Sequence, residues 1–469
     1  MPAYDPTCSR LSLWGLCFFA LCATCLLVFQ AGYQPALAQE QPQSAADKFS
    51  LPASDEGLPG TGPLRRYDWF EQLWHDRRSG WAERISQDQH ALVFLGDSIT
   101  QGWNDDFQGK FAGVKKANRG ISGDTTRGML LRLRDDVLAL DPAGVVLLMG
   151  TNDLEEGAEP ASIAENFQLI VAALKAHNPA MPIVACQMFP SSATMKRPAE
   201  KIKQTNELFA AAVKGDPQIT LLDTWTLFAD SDGDANANEF PDLLHLNEAG
   251  YAKWARALQP ILATLGFVET EAEPFVPEEG YESLFNGHDL SGWCLLPSTE
   301  QEIEQARSWQ AADPNAPPWP IVKDKVDLAG QLHTPDGRYR AIAGRLVVTT
   351  PPEGRRIQQL WTSREFPNDF TLKLEFRATP NADSGVFIRQ PQLQCRDYLL
   401  AGPYKELKQY RAGQWNELIV DVSGNVAHCT CNGEVIEAQF KLPDTGPIGL
   451  EGDRGQIEYR RIRLKPIIE

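Results

Sequence analysis

Between residues 66 and 266 the chain repeats one pattern that leaves few folds open. Short apolar runs alternate with stretches of helical spacing. "ALVFLG", "VVLLMG", "PIVACQMF" and "ITLLD" lack the alternation of a half-exposed strand and predict strands buried on both faces. A weaker run lies at "GVKKAN". Between them, "GMLLRLRDDVLAL", "ASIAENFQLIVAALKAHNP" and "AEKIKQTNELFAAAVKG" place apolar residues three and four apart, as amphipathic helices do. Strands alternating with helices predict a parallel sheet with helices on both faces, an α/β domain. The helix "NEAGYAKWARALQPILATLG" closes the unit, with Asn247 as the expected N-cap and Gly266 as the stop.

The period then changes. "FVETEAEPFVPEEGY" is acidic and holds two prolines, which predicts an exposed linker over 267–280. In "FTLKLEFRA", Phe370, Leu372, Leu374 and Phe376 face one way; Thr371, Lys373, Glu375 and Arg377 face the other. That is a half-buried strand of an antiparallel sheet. Asn432-Gly433 sits between two extended runs, a strong hairpin signal. Only "STEQEIEQARSWQ" reads as helix, an insertion. Residues 281–469 are therefore expected to form an all-β sandwich.

The N-terminus belongs to neither unit. An apolar run over 11–29 follows Arg10 and precedes Ala36-Leu37-Ala38, the small-x-small form of a signal-peptidase site. Residues 1–38 are expected to be a signal peptide that makes the protein secreted or periplasmic. The alternative is an uncleaved anchor, the only case in which a membrane is a partner. Residues 39–65 read as a flexible leader. The net charge of -18 argues against nucleic acid as a partner. Cys186, Cys294, Cys395, Cys429 and Cys431 lie beyond the leader. Cys429 and Cys431 would share a strand face and so meet different partners, and Cys186 reads as a buried apolar side chain. No cysteine and histidine spacing fits a zinc site. "DSDGDANANEF" at 230–240 departs from a calcium loop, with Ala235 and Pro241 where that loop needs Gly and Glu. No metal and no cofactor is expected.

Ligands of a parallel α/β sheet bind beyond the carboxyl ends of its strands. Four polar clusters fall there in order: "GDSIT", "NRGISGDTT", "GTND" and "DLLHLN". Their residue types suit acyl transfer. Ser98 is a nucleophile if a base takes its proton, His245 is that base, and Asp242 orients the imidazole. The Ser98 and Gly123 backbone amides and the Asn152 side chain supply an oxyanion hole. Taken singly, Ser98, Asn152 and Asp242 read equally as helix caps or turn residues, and Gly120 and Gly123 as turn glycines. Taken in order, they read as catalysis. Trp103 reads as a wall of the pocket or as a buried helix residue.

These four blocks resemble those of the SGNH hydrolases, also called the GDSL esterase/lipase family, over about 90–266. "NRGISGDTT" resembles the branch that contains the catalytic subunits of platelet-activating-factor acetylhydrolase. The resemblance implies a flavodoxin-like three-layer α/β fold and metal-free hydrolysis of small acyl esters, often acetyl groups on sugars. It places Ser98, Asp242 and His245 as the triad and Ser98, Gly123 and Asn152 as the oxyanion donors. Leu243 stands where the family commonly has glycine, and is expected to narrow the entrance. "YESLFNGHDLSGW", "NADSGVFIRQ" and "GPIGLEGDRGQIEYRRIRLKP" resemble the 3-keto-disaccharide hydrolase family, which implies a concanavalin-like jelly roll. "LQCRDYLLAGPY" departs from that family's pattern. Glu375, Arg389, Tyr398 and Glu451 are the candidates for a sugar site there, or else solvent-face residues of alternating strands.

Together these readings predict an exported serine esterase that deacylates an acylated oligo- or polysaccharide, with a β-sandwich that binds or processes the same glycan. Two alternatives stand beside it: glycoside cleavage by the C-terminal domain as the main activity, and a non-catalytic carbohydrate-binding surface protein.

Overall fold

The computed structural model describes residues 48–314, 321–349 and 359–467. The expected signal peptide and residues 39–47 of the leader lie outside them. Among the described residues, no helix is long and apolar enough to cross a membrane.

The first domain is a five-stranded parallel sheet in the order β2-β1-β3-β4-β5. The strands are β1 (Leu92–Gly96), β2 (Lys116–Gly120), β3 (Gly144–Leu147), β4 (Ile183–Cys186) and β5 (Ile219–Leu222). This is the doubly wound order of flavodoxin-like folds. The continuous apolar runs have a physical reason. Val93 and Leu95 of β1 enter a core on one face of the sheet, while Leu92 and Phe94 enter a second, aromatic core on the other. The helices are α1 (Asp68–Glu83), α2 (Ser98–Gln101), α3 (Thr126–Asp136), α4 (Thr151–Glu155), α5 (Pro160–His177), α6 (Ala199–Ala212), α7 (Thr224–Phe228) and α8 (Glu248–Thr264). Asn247 caps α8 by accepting from the Gly250 amide at 3.0 Å.

Helix α1 has no counterpart among the sequence expectations. Its inner face is Phe70, Trp74, Arg78 and Trp81. Arg78 breaks the apolar stripe, and is accommodated because its guanidinium meets Asp136 at 2.9 Å. The chain is also fastened before the expected end of the leader. Arg127 donates to the Pro59 and Gly62 carbonyls, Asn166 to the Thr61 carbonyl, and Thr125 to the Pro63 carbonyl.

The second domain is two antiparallel sheets. One has eight strands: β17 (Glu434–Lys441), β16 (Val426–Cys431), β15 (Asn416–Ser423), β12 (Phe370–Ala378), β19 (Ile457–Pro466), β10 (Arg345–Val348) and β9 (Tyr339–Ile342), with β6 (Glu282–Ser283) paired to β19. The other runs β14 (Gln392–Gln394), β13 (Gly385–Ile388), β18 (Ile448–Leu450), β11 (Leu360–Thr362), β7 (Trp293–Leu295) and β8 (Val326–Asp327). Their inner faces share one core, as in a jelly roll. In β12 the burial alternates residue by residue. Asn432 and Gly433 both have positive φ, 48° and 85°, the turn that suits a tight hairpin. The inserted helix α9 spans Glu300–Ala312. Cys429 and Cys431 do share a face, but all five described cysteines are free and buried thiols. Burial pushes Cys186 up to about 12.

The linker is not free. Glu273 accepts from Arg460 and Arg461 at 3.0 and 2.7 Å, and Glu278 accepts from Arg463 at 2.6 Å. Phe275 lies under Arg461 and Arg463. The acidic segment is thus a strap on the outer face of the eight-stranded sheet. Its charges read as solvation in the sequence because their partners are almost two hundred residues away. The Arg463 hydrogen bonds hold the Glu278 carboxyl down at about 2, so this contribution is present above the usual glutamate range and lost as pH falls toward 2. Replacing Glu273 and Glu278 together with Gln is expected to expose 267–280 to trypsin-independent cleavage, for example by thermolysin at pH 7.5. Unchanged resistance on a gel time course would show that the ion pairs do not hold the strap.

Candidate active site

Each polar cluster sits at a strand's carboxyl end. β1 runs into Asp97, whose side chain accepts from the Ile99 amide at 2.9 Å. Asp97, not Ser98, is therefore the cap of α2. Ser98 is left on the rim, half-buried, with its hydroxyl free to react. It donates to His245 Nε2 at 2.9 Å, across 147 residues of sequence. On the far side of the ring, Nδ1 donates to Asp242 Oδ2 at 2.7 Å. That bond places the proton on Nδ1 and leaves the Nε2 lone pair for serine, as a general base requires. Asp242 Oδ1 also accepts from the Leu244 and His245 amides. Partial burial acts to raise the Asp242 carboxyl, but the bonds to His245 outweigh it and hold it below the ordinary range.

The three expected oxyanion donors come from three segments: Ser98 opens α2, Gly123 lies in the loop after β2, and Asn152 lies in α4. Among the described residues, neither the Ser98 nor the Gly123 amide donates to a protein acceptor. Gly123 has φ +87°, and a Cβ there would stand 2.6 Å from the tip of Trp69 and 2.9 Å from an Arg65 nitrogen. Asn152 gives one amide hydrogen to the Asp124 carbonyl at 2.9 Å, which leaves the second for an oxyanion.

A buried network holds this side of the site. Asp153 accepts from the Thr126 amide and hydroxyl at 2.9 and 2.6 Å, which ties the Gly123 loop to α4. Asp124 pairs with Arg132 at 2.7 Å, both fully buried. Burial drives the Asp97, Asp124 and Asp153 carboxyls upward. Arg197 is 1 % exposed. It donates to the Thr151 carbonyl and hydroxyl, to Glu155 at 2.8 Å and to Asn152 Oδ1 at 3.2 Å. With a cation on Oδ1, the Asn152 amide is held from flipping, and its NH2 is directed toward the Asp124 carbonyl. Nothing in "MKRPAE" signalled that role. Asp124 and Asp153 stood inside the quoted blocks without one.

A cavity of about 620 Å³ opens beside the nucleophile, lined by Arg77, Gln101, Asn104, Asp105, Ser122 and His245 among others. Trp103 is not its wall. It is fully buried and stacks on Trp254 at 4.4 Å. Leu243 is not among the residues that line the cavity. It holds φ +60° and packs against the aromatic core. Asp230 spends its carboxylate on the Asp232 and Asp234 amides of its own loop.

The four second-domain candidates do not converge. Arg389 is 1 % exposed and gives its guanidinium to the carbonyls of Phe366, Gly424, Pro443 and Asn368. Tyr398 is fully buried and donates to the Gln394 carbonyl. Glu375 is bound by Arg460 and Arg461 on the outer face of the other sheet. Glu451 is also buried, 3 % exposed. It lies on the outer face of the six-stranded sheet, held by Gln359 at 3.2 Å and by Gln392. On the same face Trp361 and Phe387 meet at 5.3 Å over Gly449, where a Cβ would strike the indole at 2.7 Å. Burial, aided by Asp453, pushes the Glu451 carboxyl up to about 7.

Residues 94–253 match the GDSL-like lipase/acylhydrolase family, and residues 280–465 match the 3-keto-alpha-glucoside-1,2-lyase-like domain. The platelet-activating factor acetylhydrolase IB subunit alpha1 of Homo sapiens is 32% identical over 177 residues, 37% of this chain and 76% of that protein. The alpha2 subunit of Bos taurus is 28% identical over 226 residues, 48% of this chain and 93% of its own. A solved GDSL-like lipase of Bacteroides thetaiotaomicron superposes with a TM-score of 0.36 at 22% identity, over 40% of this chain and 98% of that one.

Two outcomes follow from the geometry. Arg197→Lys keeps the charge but not the fork, and is expected to lower kcat on p-nitrophenyl acetate on the order of tenfold with KM little changed, less than the 10²–10³ of losing a donor outright. A change confined to KM would remove Arg197 from the oxyanion side. Glu451→Gln is expected to raise the melting temperature more at pH 8 than at pH 5. A carboxyl with a raised folded pKa binds its proton more tightly in the native state, so stability falls as pH rises from about 4.5 through about 7. The limit is roughly 3 kcal/mol. A pH-independent difference between variant and wild type in calorimetry would contradict it.

Proposed function

The chain belongs, through its first domain, to the GDSL-like lipase/acylhydrolase family, and from that premise we propose that it is an exported serine esterase that removes small acyl groups, acetyl above all, from carbohydrate. That it hydrolyses ester bonds is the family's chemistry. The observation that carries the assignment to these residues is the unbroken relay from Ser98 to His245 to Asp242, at 2.9 and 2.7 Å.

In the reaction, His245 Nε2 takes the Ser98 proton as Oγ attacks the acyl carbon. The imidazolium is stabilised by Asp242, which stays ionised. The carbonyl oxygen becomes an oxyanion, met by the Ser98 and Gly123 amides and Asn152. His245 then gives its proton to the departing alcohol, and water repeats the sequence to free the acid.

The carbohydrate part of the reading rests on two supports. The cavity beside Ser98 is lined by side chains that hydrogen-bond, as a hydroxyl-rich alcohol needs. The second domain matches a family named for glucosides. We read that domain as binding or processing the same glycan through the face that holds Glu451, Trp361 and Phe387. A second reading is glycoside cleavage there as the main activity: Glu451 is buried and held by the Gln359 and Gln392 amides without a direct cation partner among the described residues, an environment that raises a carboxyl toward general acid or base work.

Ser98→Ala in the full-length chain is expected to abolish p-nitrophenyl acetate hydrolysis while leaving the melting temperature within a degree or two. Residual turnover near wild type would falsify the nucleophile assignment. Acetate release from acetylated oligosaccharides by the wild type tests the substrate class.

A further inference from the structure

Tyr67 and Trp69 are the two aromatic side chains of the first domain left open to solvent, 50 % and 53 % exposed. They flank the start of α1. Their rings stack nearly parallel, 13° apart with centroids at 6.3 Å. Neither belongs to the inner face of the helix, which is built from Phe70, Trp74, Arg78 and Trp81. Packing therefore does not account for them. Their place does: the tip of the Trp69 indole is the atom that a Cβ on Gly123 would meet, at 2.6 Å. A half-exposed indole lies directly against the glycine expected to supply an oxyanion donor.

The pair is held rather than loose. Tyr67 donates its hydroxyl to Glu156 at 3.2 Å, and Glu156 accepts from Arg65 at 2.7 Å. Trp69 meets the buried Phe70 edge to face at 5.7 Å. The sequence neighbour of Gly123, Ser122, lines the cavity with Arg77, Gln101, Asn104 and Asp105. An apolar plate at Gly123 and, at the adjacent Ser122, a cavity that also holds Ser98 thus stand one residue apart. A pyranose ring has both surfaces such a place needs: an apolar face of C–H groups and a rim of hydroxyls. A long acyl chain would leave the polar cavity unmatched, and buried polar groups without partners are costly.

We infer that Tyr67 and Trp69 form the subsite for the sugar ring that carries the ester, with the indole as the main stacking surface. This rests on the carbohydrate-esterase reading. Ring stacking is worth a fraction of a kcal/mol to somewhat more beyond area burial, so its loss registers as a severalfold to tenfold effect.

The test compares the full-length enzyme with Trp69→Ala, Trp69→Phe and Tyr67→Ala on four esters: ethyl acetate, methyl mono-O-acetyl-glucopyranoside, acetylcholine and p-nitrophenyl octanoate. The readout is the ratio of kcat/KM on each ester to that on ethyl acetate, which cancels any general damage to the oxyanion hole. The glucoside ratio is expected to fall about tenfold in Trp69→Ala, less in Tyr67→Ala, and to be largely kept in Trp69→Phe. If Trp69→Ala does not fold, the other two variants decide by the same ordering. A wild type that cleaves ethyl acetate but not the glucoside overturns the carbohydrate reading and the subsite with it. A wild type that cleaves the glucoside while its ratio stays constant in every variant overturns the subsite alone. A fall confined to acetylcholine or to the octanoate assigns the rings to a cation or an acyl chain, and also overturns it.

Discussion

The hydrogen bond between Ser98 and His245 joins two residues 147 positions apart, and the first domain is built so that it forms. A hydroxyl and an imidazole must meet within a few tenths of an ångström to pass a proton. Flexible chain over that length would not hold them. The parallel sheet does, because each crossover returns the chain to the same edge. β1 delivers Ser98, β2 Gly123 and β3 Asn152, and the segment before α8 delivers the dyad. The requirement that both sheet faces be buried, met by Leu92 and Phe94 on one side and Val93 and Leu95 on the other, is thus also what fixes the reacting atoms.

That logic explains what was legible in the amino-acid order. Strands buried on both faces by apolar packing are continuously apolar, so β1, β3, β4 and β5 were plain, as was the rim where their polar ends gather; β2, which carries Lys116, Asn118 and Arg119, showed only as a weaker run. The period-two alternation of β12 and the Asn432-Gly433 turn were visible for the same local reason. What stayed hidden depends on partners distant in sequence. Helix α1 carries Arg78 on its inner face, tolerable only because Asp136 waits there. The linker reads as solvated acid until Arg460, Arg461 and Arg463 are placed beneath it. Arg197 reads as a loop cation until Asn152 and Glu155 are brought to it.

The second domain shows the limit of alternation. A period of two tells which residues share a face, not which of them a ligand would meet. Arg389, Tyr398, Glu375 and Glu451 are all polar near recognisable motifs, yet three are consumed by carbonyls, core packing and ion pairs. Glu451 differs because its partners are amides, Gln359 and Gln392, which bind the carboxyl without neutralising it. Side-chain contacts also bind this domain to the first. Gln456 donates to the Pro260 carbonyl of α8 at 3.0 Å, and Asn381 to Asp223 at 2.6 Å. With the linker strapped down as well, the two domains form one connected scaffold.

Within the active site the two halves are held in different ways. Asn152 is 3 % exposed, and the oxyanion side rests on buried carboxylates and arginines, a network whose members fix one another. The dyad is open: the Asp242 and His245 side chains are 53 % and 44 % exposed. Its anchorage is largely local, since Asp242 accepts from the amides of its own turn, with one tie from Ser191 to the Leu243 carbonyl. Leu243 holds its positive φ in that turn because its side chain is packed on the core. This division suits the chemistry. Oxyanion donors act by being fixed before charge develops, and gain most from burial. A base that must shuttle a proton to a departing alcohol, and then take one from water, has to remain within reach of both.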